Sequence, residues 1–307
     1  MDIIYGAGLA GLIAAQHFQK AILLEASSID KINHKAVLRF RTSAVGDAVG
    51  IPFRKVRVHK GIWLDGQFVQ PSIRLANLYS QKVIGRLADR SIWNLEPSDR
   101  FVAPEDFIEQ LIDRCEHRIQ WNHPVTADEF MNTNVPRIST LPMSVVSRFL
   151  MDKTGIAPQF NYAGIKVKRW RIKDSDVFQT IYFPSQHSTI YRASITGDLL
   201  IAEYIDKDIG QHNEASQDSV IFEAFGLLCV PEPIESTSQR FGKIAPIDDV
   251  WRKRFMFELT TKLNVFSLGR FATWKNILLD DVLKDINVIK QLANQSHYSM
   301  ALHSAGV

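Results

Sequence analysis

The chain has 307 residues, of which 46% are hydrophobic and 22% are charged, and its formal net charge at pH 7 is +3. This composition is typical of a globular protein with a sizeable core and excludes a disordered or fibrous chain. The mildly basic charge allows an anionic ligand but does not require nucleic acid.

Cysteine usage and hydropathy indicate a reducing, aqueous compartment. The two cysteines, Cys115 and Cys229, lie far apart and lack metal-ligand spacing, so neither a disulfide framework nor a metal site is predicted. No apolar run approaches the ~18 residues of a membrane helix. No basic segment precedes the first apolar run, at Ile3, which argues against a signal peptide. We therefore expect a cytoplasmic protein without a membrane partner.

The chain begins with a glycine motif, Gly6-x-Gly8-x-x-Gly11, between an apolar run and a helical pattern. Residues 2–5 are predicted to form a short buried strand, and Gly6 allows the tight turn that leaves it. Gly8 lets the backbone approach a pyrophosphate, and Gly11 lets the following helix pack close to the sheet. This spacing predicts a dinucleotide-binding site.

The elements after the glycines supply the context that the motif requires. A helix is predicted over residues 9–19, and its first N–H groups, at Leu9 and Ala10, would point at the phosphates. A second strand is predicted over residues 21–24, with Glu25 at its end to accept hydrogen bonds from a ribose. Glu25 follows Gly6 by 19 residues, which is shorter than usual by about one helical turn of ~3.6 residues.

Residues 26–60 are loop-like and contain a basic run. Two interpretations stay open for this run: a solvated strand pair, or phosphate and carboxylate contacts beside the bound cofactor. Its members are Arg39, Arg41, Arg54, Lys55 and Arg57. Residues 61–72 are predicted to form a hairpin with Asp65-Gly66 as the turn, and helices are predicted over residues 73–93 and 103–118.

In the second half of the chain, predicted strands and helices alternate at first, a β-rich segment follows, and strands and helices then alternate again. Residues 118–130 are predicted to be an edge strand and turn, and residues 135–150 a strand that breaks at 140–142 before a short helix. Residues 160–205 alternate and predict an antiparallel sheet. A helix follows in "EASQDSVIFEAFGLL", then a strand over 264–271 and a long last helix.

These elements predict an α/β fold in which both chain ends build one nucleotide-binding domain. We assign residues 1–72, 100–150 and 240–307 to this domain, and residues 73–99 and 151–239 to an inserted substrate domain with an antiparallel sheet. This arrangement is typical of FAD-binding Rossmann-like folds of the glutathione-reductase type.

Five stretches of the chain carry a family resemblance, namely "GAGLAGL", "ISTLP", "IYFPSQHSTIYRASITGDLLIAEY", "FGKIAPI" and "VFSLGRFATWKNILLDD". Together they resemble the superfamily of flavin amine oxidases, protoporphyrinogen oxidases and UDP-galactopyranose mutases. The resemblance implies non-covalent FAD as cofactor. The chain departs from this pattern after Glu25, where the usual glycine doublet and arginine are missing, and it is shorter than most of these enzymes.

The resemblance also assigns cofactor contacts. Gly269 and Arg270 would lie against the FAD pyrophosphate, within a motif that includes Trp274, and Asp280 would lie near the flavin or its ribityl chain. Thr140 and Pro142 would lie in the segment that passes the isoalloxazine ring, and the backbone of Val125 would clamp the adenine. Trp274 has a second interpretation, as a core residue.

The substrate side is predicted less directly. The first hypothesis is oxidation of a C–N bond in an amine or amino acid, with hydride transfer to flavin N5 and reoxidation by O2. Candidate residues are His187, Tyr191, Arg192, Glu203 and Lys243. Tyr191 and Arg192 are adjacent on a predicted strand and should face opposite sides, so Arg192 is preferred as an anchor for a substrate carboxylate or phosphate. By resemblance, Lys243 would hold a water near N5.

Three alternatives stay open. One is a mutase-like, non-redox flavoenzyme that acts on a nucleotide sugar, and another is a flavoprotein without enzymatic activity. In the third, the amine is linked to a nucleotide or to DNA, with phosphate contacts from the basic run and from "KVKRWRIK" at residues 166–173. The other interpretation of that segment is an exposed amphipathic strand. The oligomeric state is not predicted.

Overall fold

The computed structural model describes residues 1–32, 36–88, 91–132, 135–150, 157–173, 175–206, 214–228 and 233–304. Its strands form two β-sheets, one parallel and one mixed, and helices cover both. The predicted α/β class is therefore confirmed. Cys229 lies outside the described residues, and Cys115 is buried with its thiol directed to the carbonyl of Leu111.

The parallel sheet has five short strands, and most of their apolar side chains are buried. They are β1 (Ile3–Tyr5), β2 (Ile22–Leu24), β7 (Ile119–Gln120), β8 (Arg137–Ser139) and β14 (Val265–Ser267). Their order is β14-β8-β1-β2-β7, and every neighbouring pair is parallel. Strands from both ends of the chain meet in this sheet, as predicted, because each parallel neighbour requires a long crossover connection.

Seven helices pack with the parallel sheet. They are α1 (Leu9–His17), α2 (Ala44–Val49), α4 (Phe107–Asp113), α5 (Ala127–Asn132), α6 (Met143–Phe149), α8 (Asp249–Leu263) and α9 (Leu279–Ser304). Leu12, Phe107 and Ile286 place α1, α4 and α9 in one apolar cluster. Met143 and Phe255 place α6 and α8 in another, so both faces of the sheet are covered.

The mixed sheet has nine strands. They are β3 (Arg39–Phe40), β4 (Arg54–Leu64), β5 (Gln67–Phe68), β6 (Ser98–Val102), β9 (Tyr162–Arg171), β10 (Phe178–Tyr182), β11 (Ile190–Thr196), β12 (Leu199–Ile205) and β13 (Glu235–Ile244). The main order is β13-β9-β12-β11-β10-β4-β6-β3, and β5 pairs with β4. Within residues 160–205, the neighbouring strands β9, β12, β11 and β10 are antiparallel, as predicted, whereas β4, from outside that range, pairs in parallel with β10.

The pairing of β4 with β10 also bears on the domain division. The division assigned residues 1–72 to the nucleotide-binding domain, yet β3, β4 and β5 pair only within the mixed sheet among the described strands. The sheet therefore combines strands from before and after α3 (Ile73–Ile84). The boundaries themselves stay a prediction.

Two helices cover opposite faces of the mixed sheet. Tyr79 of α3 belongs to an apolar cluster with Val167 and Tyr191. The helix α7 (Glu214–Phe225) covers the other face, where Phe222 packs edge-to-face on Trp170.

Several predicted elements have different limits. The helix predicted over 73–93 ends at Ile84, because Gly85 adopts a left-handed conformation with φ of 73°. The helix predicted over 103–118 is reduced to α4. The helix α8 was not predicted, although Asp248 caps its first turn and Asn264, with φ of 54°, ends it. The hairpin at Asp65-Gly66 is confirmed by the pairing of β4 with β5.

Within the described residues, no helix combines the length and the apolar character needed to cross a membrane.

Candidate functional site

The carboxyl ends of the parallel strands meet in one row of backbone. Three hydrogen bonds continue the ladder beyond the strands: Gly6 N–H to Leu24 O (2.8 Å), Thr140 N–H to Tyr5 O (2.9 Å), and Leu268 N–H to Ser139 O (2.9 Å). In open α/β sheets, ligands bind in the crevice outside this edge. We call Gly6 to Gly11, Glu25, Thr140 and Gly269 the carboxyl-edge site.

The glycines of this site allow close backbone packing. Gly6 has a φ of 94°, and a Cβ there would lie 2.4 Å from Thr140 Oγ1. A Cβ at Gly11 would lie 2.0 Å from the carbonyl oxygen of Gly6. Gly269 has a φ of 87°, and a Cβ there would lie 2.8 Å from Ala10 Cβ. The predicted roles of Gly6 and Gly11 in the turn and the helix packing agree with these distances.

Gly8 differs from these three glycines. A Cβ at Gly8 would meet no heavy atom within 4 Å. Gly8 is the N-cap of α1 and provides no side-chain cap, and the first intrahelical bond runs from Leu12 N–H to Gly8 O (2.9 Å). The N–H groups of Leu9, Ala10 and Gly11 precede that bond, so they and the helix dipole are suited to an anion in the open space.

Glu25 orients the glycine loop from the end of β2. Its carboxylate accepts hydrogen bonds from Ala7 N–H (2.7 Å) and Ser27 N–H (2.8 Å), and the residue is 8% exposed. A carboxylate oxygen can accept more than one hydrogen bond, so ribose hydroxyls can still bind there. The free N–H groups of α1 and the Glu25 carboxylate together fit a dinucleotide, and the buried carboxylate disfavours a 2′-phosphate.

The segment at residues 140–142 lies beside the glycine loop, and its contact with an isoalloxazine ring stays a prediction. Thr140 Oγ1 donates to the carbonyl of Tyr5 (2.7 Å), and Pro142 is the N-cap of α6. The N–H of Met143 donates to the carbonyl of Phe271 (2.9 Å), which joins this segment to the loop after β14. Val125 lies in the turn after β7 and is partly buried against the cluster that contains Met143.

Arg270 contacts the backbone of the mixed sheet. Its Nη2 donates to the carbonyls of Phe241 (3.2 Å) and Gly242 (3.1 Å) on β13, and its guanidinium lies 4.7 Å from the centre of the Phe271 ring. Arg270 therefore links the loop after β14 to the mixed sheet. Its contact with a pyrophosphate stays a prediction.

Trp274 is a core residue. It is 1% exposed, its indole N–H donates to the carbonyl of Ala245 (2.9 Å), and its ring packs edge-to-face on Phe160 at 4.9 Å between centroids. A side chain enclosed in this way fills volume and has no N–H left for a ligand. The assignment of the Trp274 side chain as a cofactor contact is therefore corrected.

Asp280 joins two elements of the chain at the start of α9. Its carboxylate accepts hydrogen bonds from the N–H groups of Arg41 (3.0 Å) and Thr42 (3.1 Å) and from Thr42 Oγ1 (3.2 Å). It thereby holds the loop that enters α2 against α9. Its predicted position near the flavin stays a prediction.

A second group of predicted residues lies on the mixed sheet. Arg192 on β11 and Glu203 on β12 are cross-strand partners and form a two-pronged ion pair, with Arg192 Nη2 2.7 Å from Glu203 Oε1. Burial raises the pKa of Glu203, but Arg192 and then Lys243 outweigh it and lower the pKa to about 2. The anchor predicted for a substrate is therefore already bound to a carboxylate.

Tyr191 and Arg192 lie on the same side of the sheet, so the prediction that they face opposite sides is wrong. The pairing of β11 with β12 shifts register between Ile190 and Arg192, which makes Tyr191 the additional residue of a bulge. A bulge changes the alternation of side chains. The Arg192 guanidinium lies 6.0 Å from the Tyr191 ring centre. Burial raises the pKa of the Tyr191 hydroxyl well above its usual value, and the charge of Glu203 adds to this effect.

Lys243 completes this group, which we call the sheet-face cluster: Tyr191, Arg192, Glu203 and Lys243. The ammonium of Lys243 lies 4.5 Å from the Tyr191 ring centre. With two cations and one carboxylate, the cluster is suited to an anion or to orienting a water. His187 is not part of it, because it is exposed in the loop between β10 and β11.

Two cations, the half-buried Arg39 and the buried Lys82, were not predicted as site residues. Arg39 donates to Thr180 Oγ1 (2.8 Å) and Thr196 Oγ1 (3.2 Å), and burial, followed by the charge of Arg192, lowers its pKa to about 9. Lys82 on α3 donates to three carbonyls, including those of Phe183 (2.9 Å) and Ser185 (2.7 Å). The basic run pointed to Arg39, whereas no local pattern distinguishes Lys82 from a solvated lysine.

The basic segments pair with acidic side chains of the same chain. Lys55 and Arg57 both contact Asp99. On β9, Lys168 pairs with Asp218 at 2.9 Å and Arg169 with Glu235 at 3.1 Å. Trp170, which follows these two cations, is buried rather than exposed. These contacts favour a structural task over phosphate binding for both segments, but the exposed strand predicted for residues 166–173 is wrong, because β9 lies between β12 and β13 with Val167, Lys168 and Trp170 buried.

Comparisons with known proteins place the fold. No protein family and no curated protein matches the chain. Among solved structures, reduced UDP-galactopyranose mutase is similar over 95% of this chain and 93% of its own, at 14% identity and a TM-score of 0.64. A second similar structure is a protein of Exiguobacterium sp. 255-15, provisionally described as a protoporphyrinogen oxidase. The similarity covers 95% of this chain and 98% of that protein, at 12% identity and a TM-score of 0.58.

A third similar structure is a protein of Photorhabdus luminescens subsp. laumondii TTO1, provisionally described as an FAD-containing monooxygenase. It covers 96% of this chain and 88% of its own, at 11% identity and a TM-score of 0.54. The chain therefore has the fold of the FAD-dependent oxidoreductases and mutases, and the resemblance drawn from the sequence is confirmed at the level of fold.

Proposed function

We propose that this chain is a flavoenzyme that binds FAD non-covalently at the carboxyl-edge site and acts as an FAD-dependent oxidoreductase. The observation that carries the proposal is the contrast among the motif glycines. Gly6, Gly11 and Gly269 are packed against neighbouring atoms, whereas Gly8 borders open space in front of the first N–H groups of α1. Backbone without side chains beside a helix N-terminus fits a pyrophosphate.

The chain's own groups have separate tasks in this proposal. The N–H groups of Leu9, Ala10 and Gly11 bind the pyrophosphate, and Glu25 accepts from the ribose hydroxyls. The backbone of Val125 borders the adenine, and residues 140–142 border the isoalloxazine ring. Bound FAD supplies a hydride acceptor, and the protein supplies binding, orientation and electrostatics.

Flavin content tests the proposal directly. We expect the purified protein to be yellow, to release FAD rather than FMN on denaturation, and to rebind FAD after its removal. NADP should not bind at this site, because the buried carboxylate of Glu25 opposes a 2′-phosphate. A protein that is colourless and takes up neither FAD nor FMN would contradict the proposal.

For the substrate, we propose oxidation of a C–N bond in an amine or amino acid, with the sheet-face cluster facing the substrate. What supports this is the position of Lys243, 4.5 Å from the Tyr191 ring and beside the Arg192–Glu203 pair. Lys243 would hold a water, and the partly exposed Arg192 would bind a substrate anion through the N–H groups that Glu203 does not use.

A mutase-like reaction on a nucleotide sugar is the second candidate, and one observation favours it. UDP-galactopyranose mutase shares the fold over 95% of this chain, and its TM-score is the highest among the three structures described above. Anaerobic mixing with amines, amino acids and nucleotide sugars separates the two. Bleaching of the flavin by an amine supports oxidation. Turnover of a nucleotide sugar only after chemical reduction supports the mutase, and no response to any compound favours a flavoprotein without enzymatic activity.

A further inference from the structure

A cavity lies between α6 and the first residues of β9. Its volume is about 260 Å³. Three aromatic side chains, Phe160, Tyr162 and Phe241, form one side. Ser144, Ser147 and Arg148 on α6 form the other.

The aromatic side is held in place by contacts among its own rings and with residues behind them. The Phe241 and Tyr162 rings pack with their centroids 4.6 Å apart, and Phe160 packs on Trp274. Arg270 binds the backbone carbonyl of Phe241. Walls that are already ordered lose little conformational entropy when a ligand binds, which favours a rigid, flat ligand.

The helix side offers hydrogen bonding that the chain does not use. The Ser144 hydroxyl is buried and has no hydrogen-bond partner among the described residues, whereas the Ser147 hydroxyl donates to the carbonyl of Ser144 (3.3 Å). A buried polar group without a hydrogen-bond partner is unfavourable. A ligand in the cavity that accepts a hydrogen bond from the Ser144 hydroxyl is therefore stabilised.

Arg148 adds a positive charge at the exposed edge of the cavity. Its Nε donates to the carbonyl of Ser144 (3.2 Å), and its terminal nitrogens make no hydrogen bond with any residue that the structure describes. A guanidinium presents paired N–H groups that match a carboxylate.

We infer that this cavity is a binding site for a small aromatic carboxylate, with the ring against Phe160, Tyr162 and Phe241 and the carboxylate at Arg148. The volume holds one ring with a short side chain. The inference goes beyond the proposed function and does not depend on it, because none of its contacts involves a cofactor.

Isothermal titration with phenylacetate tests the inference on the purified protein, with and without saturating FAD. We expect a Kd of about 1 mM or lower in both cases. Phenylacetamide, which lacks the charge, and cyclohexylacetate, which lacks the aromatic ring, should each bind at least about tenfold more weakly.

Two variants of the same helix separate binding from structure. Ser144→Ala should weaken phenylacetate binding roughly 2- to 13-fold. Ser147→Ala is the matched control, because its hydroxyl already has a partner, and it should bind as the parent does. Arg148→Gln should weaken binding about tenfold and remove the preference over phenylacetamide.

Four results would overturn the inference: no binding, equal affinity for cyclohexylacetate, equal losses in the two serine variants, or loss of binding on adding FAD. The last result would assign the cavity to the cofactor. Melting temperatures of all variants check that each one is folded. A protein that binds phenylacetate but no FAD would refute the proposed function and leave this inference intact.

Discussion

Gly8 and Gly11 belong to one motif but have different surroundings. A Cβ at Gly11 would lie 2.0 Å from a backbone oxygen, and a Cβ at Gly8 would meet nothing within 4 Å. A side chain at Gly11 therefore disturbs the fold, whereas a side chain at Gly8 enters the space that we assign to the pyrophosphate. The two positions allow folding and cofactor binding to be separated by substitution.

We expect Gly8→Val to have the melting temperature of the parent when both are free of FAD, and to lose FAD affinity by at least about tenfold. Gly11→Ala should instead lower the free energy of unfolding by about 1–3 kcal/mol, because the backbone must shift. Flavin absorbance and chemical unfolding measure the two effects. Full flavin stoichiometry in a folded Gly8→Val protein would disprove the assignment of the phosphate site.

Glu203 is 2% exposed and holds its charge because of its neighbours. Its pKa falls from 4.5 to about 2, despite burial, because of Arg192 and then Lys243. A carboxyl whose pKa is lower in the folded protein contributes stability above pH 4.5 and loses it as the pH falls towards 2. The contribution corresponds to about 3 kcal/mol.

We expect the free energies of unfolding of the parent and Glu203→Gln to differ most above pH 4.5 and to converge as the pH falls to about 2. Urea unfolding between pH 3 and pH 7 measures this difference. Glu258→Gln serves as control, because Glu258 pairs with Arg254 and Lys262 on the surface of α8, where such pairs contribute little. A difference that is independent of pH would show that Glu203 is not stabilised as an anion.

At the scale of elements, the two sheets are joined by side chains that bind backbone. Arg270, after β14, donates to two carbonyls of β13, and Asp280 at the start of α9 accepts from two N–H groups of the loop before α2. Both contacts connect the last part of the chain to earlier segments. The sequence motif that suggested cofactor binding at these positions therefore also has a structural task.

We expect Arg270→Met to lower the free energy of unfolding by about 1–3 kcal/mol, because two partly buried carbonyls of β13 lose their donor. Methionine keeps much of the packing on Phe271. Arg240→Met is the matched control. Arg240 lies on β13, the strand that Arg270 binds, but it is exposed and donates only to the Tyr162 hydroxyl among the described groups. Its effect should stay within about 0.5 kcal/mol. Equal effects in the two variants would refute the bridging role of Arg270.

At the scale of the whole molecule, the carboxyl-edge site depends on strands from distant parts of the chain. β1 and β14, with β8 between them, bring Gly6 and Gly269 to one edge. A ligand at this edge contacts segments from both halves of the sequence. Its binding is therefore coupled to global unfolding rather than to the opening of one loop.

We expect FAD at one hundred times its Kd to stabilise the protein by about 2.7 kcal/mol and to raise the melting temperature by about 4 °C. NADP at the same concentration should leave the melting temperature unchanged. Differential scanning calorimetry measures both shifts. An equal shift with NADP would mean that Glu25 does not select the cofactor.

The amino-acid sequence by itself determined the first strand–helix–strand unit of this protein. The motif from Gly6 to Glu25 lies within the first 25 residues, so its spacing alone predicts strand, helix and strand, whereas the packing of Gly6 against Thr140 requires a strand from far along the chain. Strand and helix periodicity also predicted most of the remaining elements. Their limits depended on single residues such as Gly85, whose left-handed conformation ends α3.

Only the tertiary structure decided how the residues of the sheet-face cluster are arranged. The bulge that turns Tyr191 to the side of Arg192, the pairing of Arg192 with Glu203, and the parallel pairing of β4 with β10 all depend on which strands become neighbours. The partners of Arg270 and Trp274 lie 25 or more residues away in the chain. Such contacts form when the sheets pack, because packing and desolvation, rather than local spacing, determine which donor meets which acceptor.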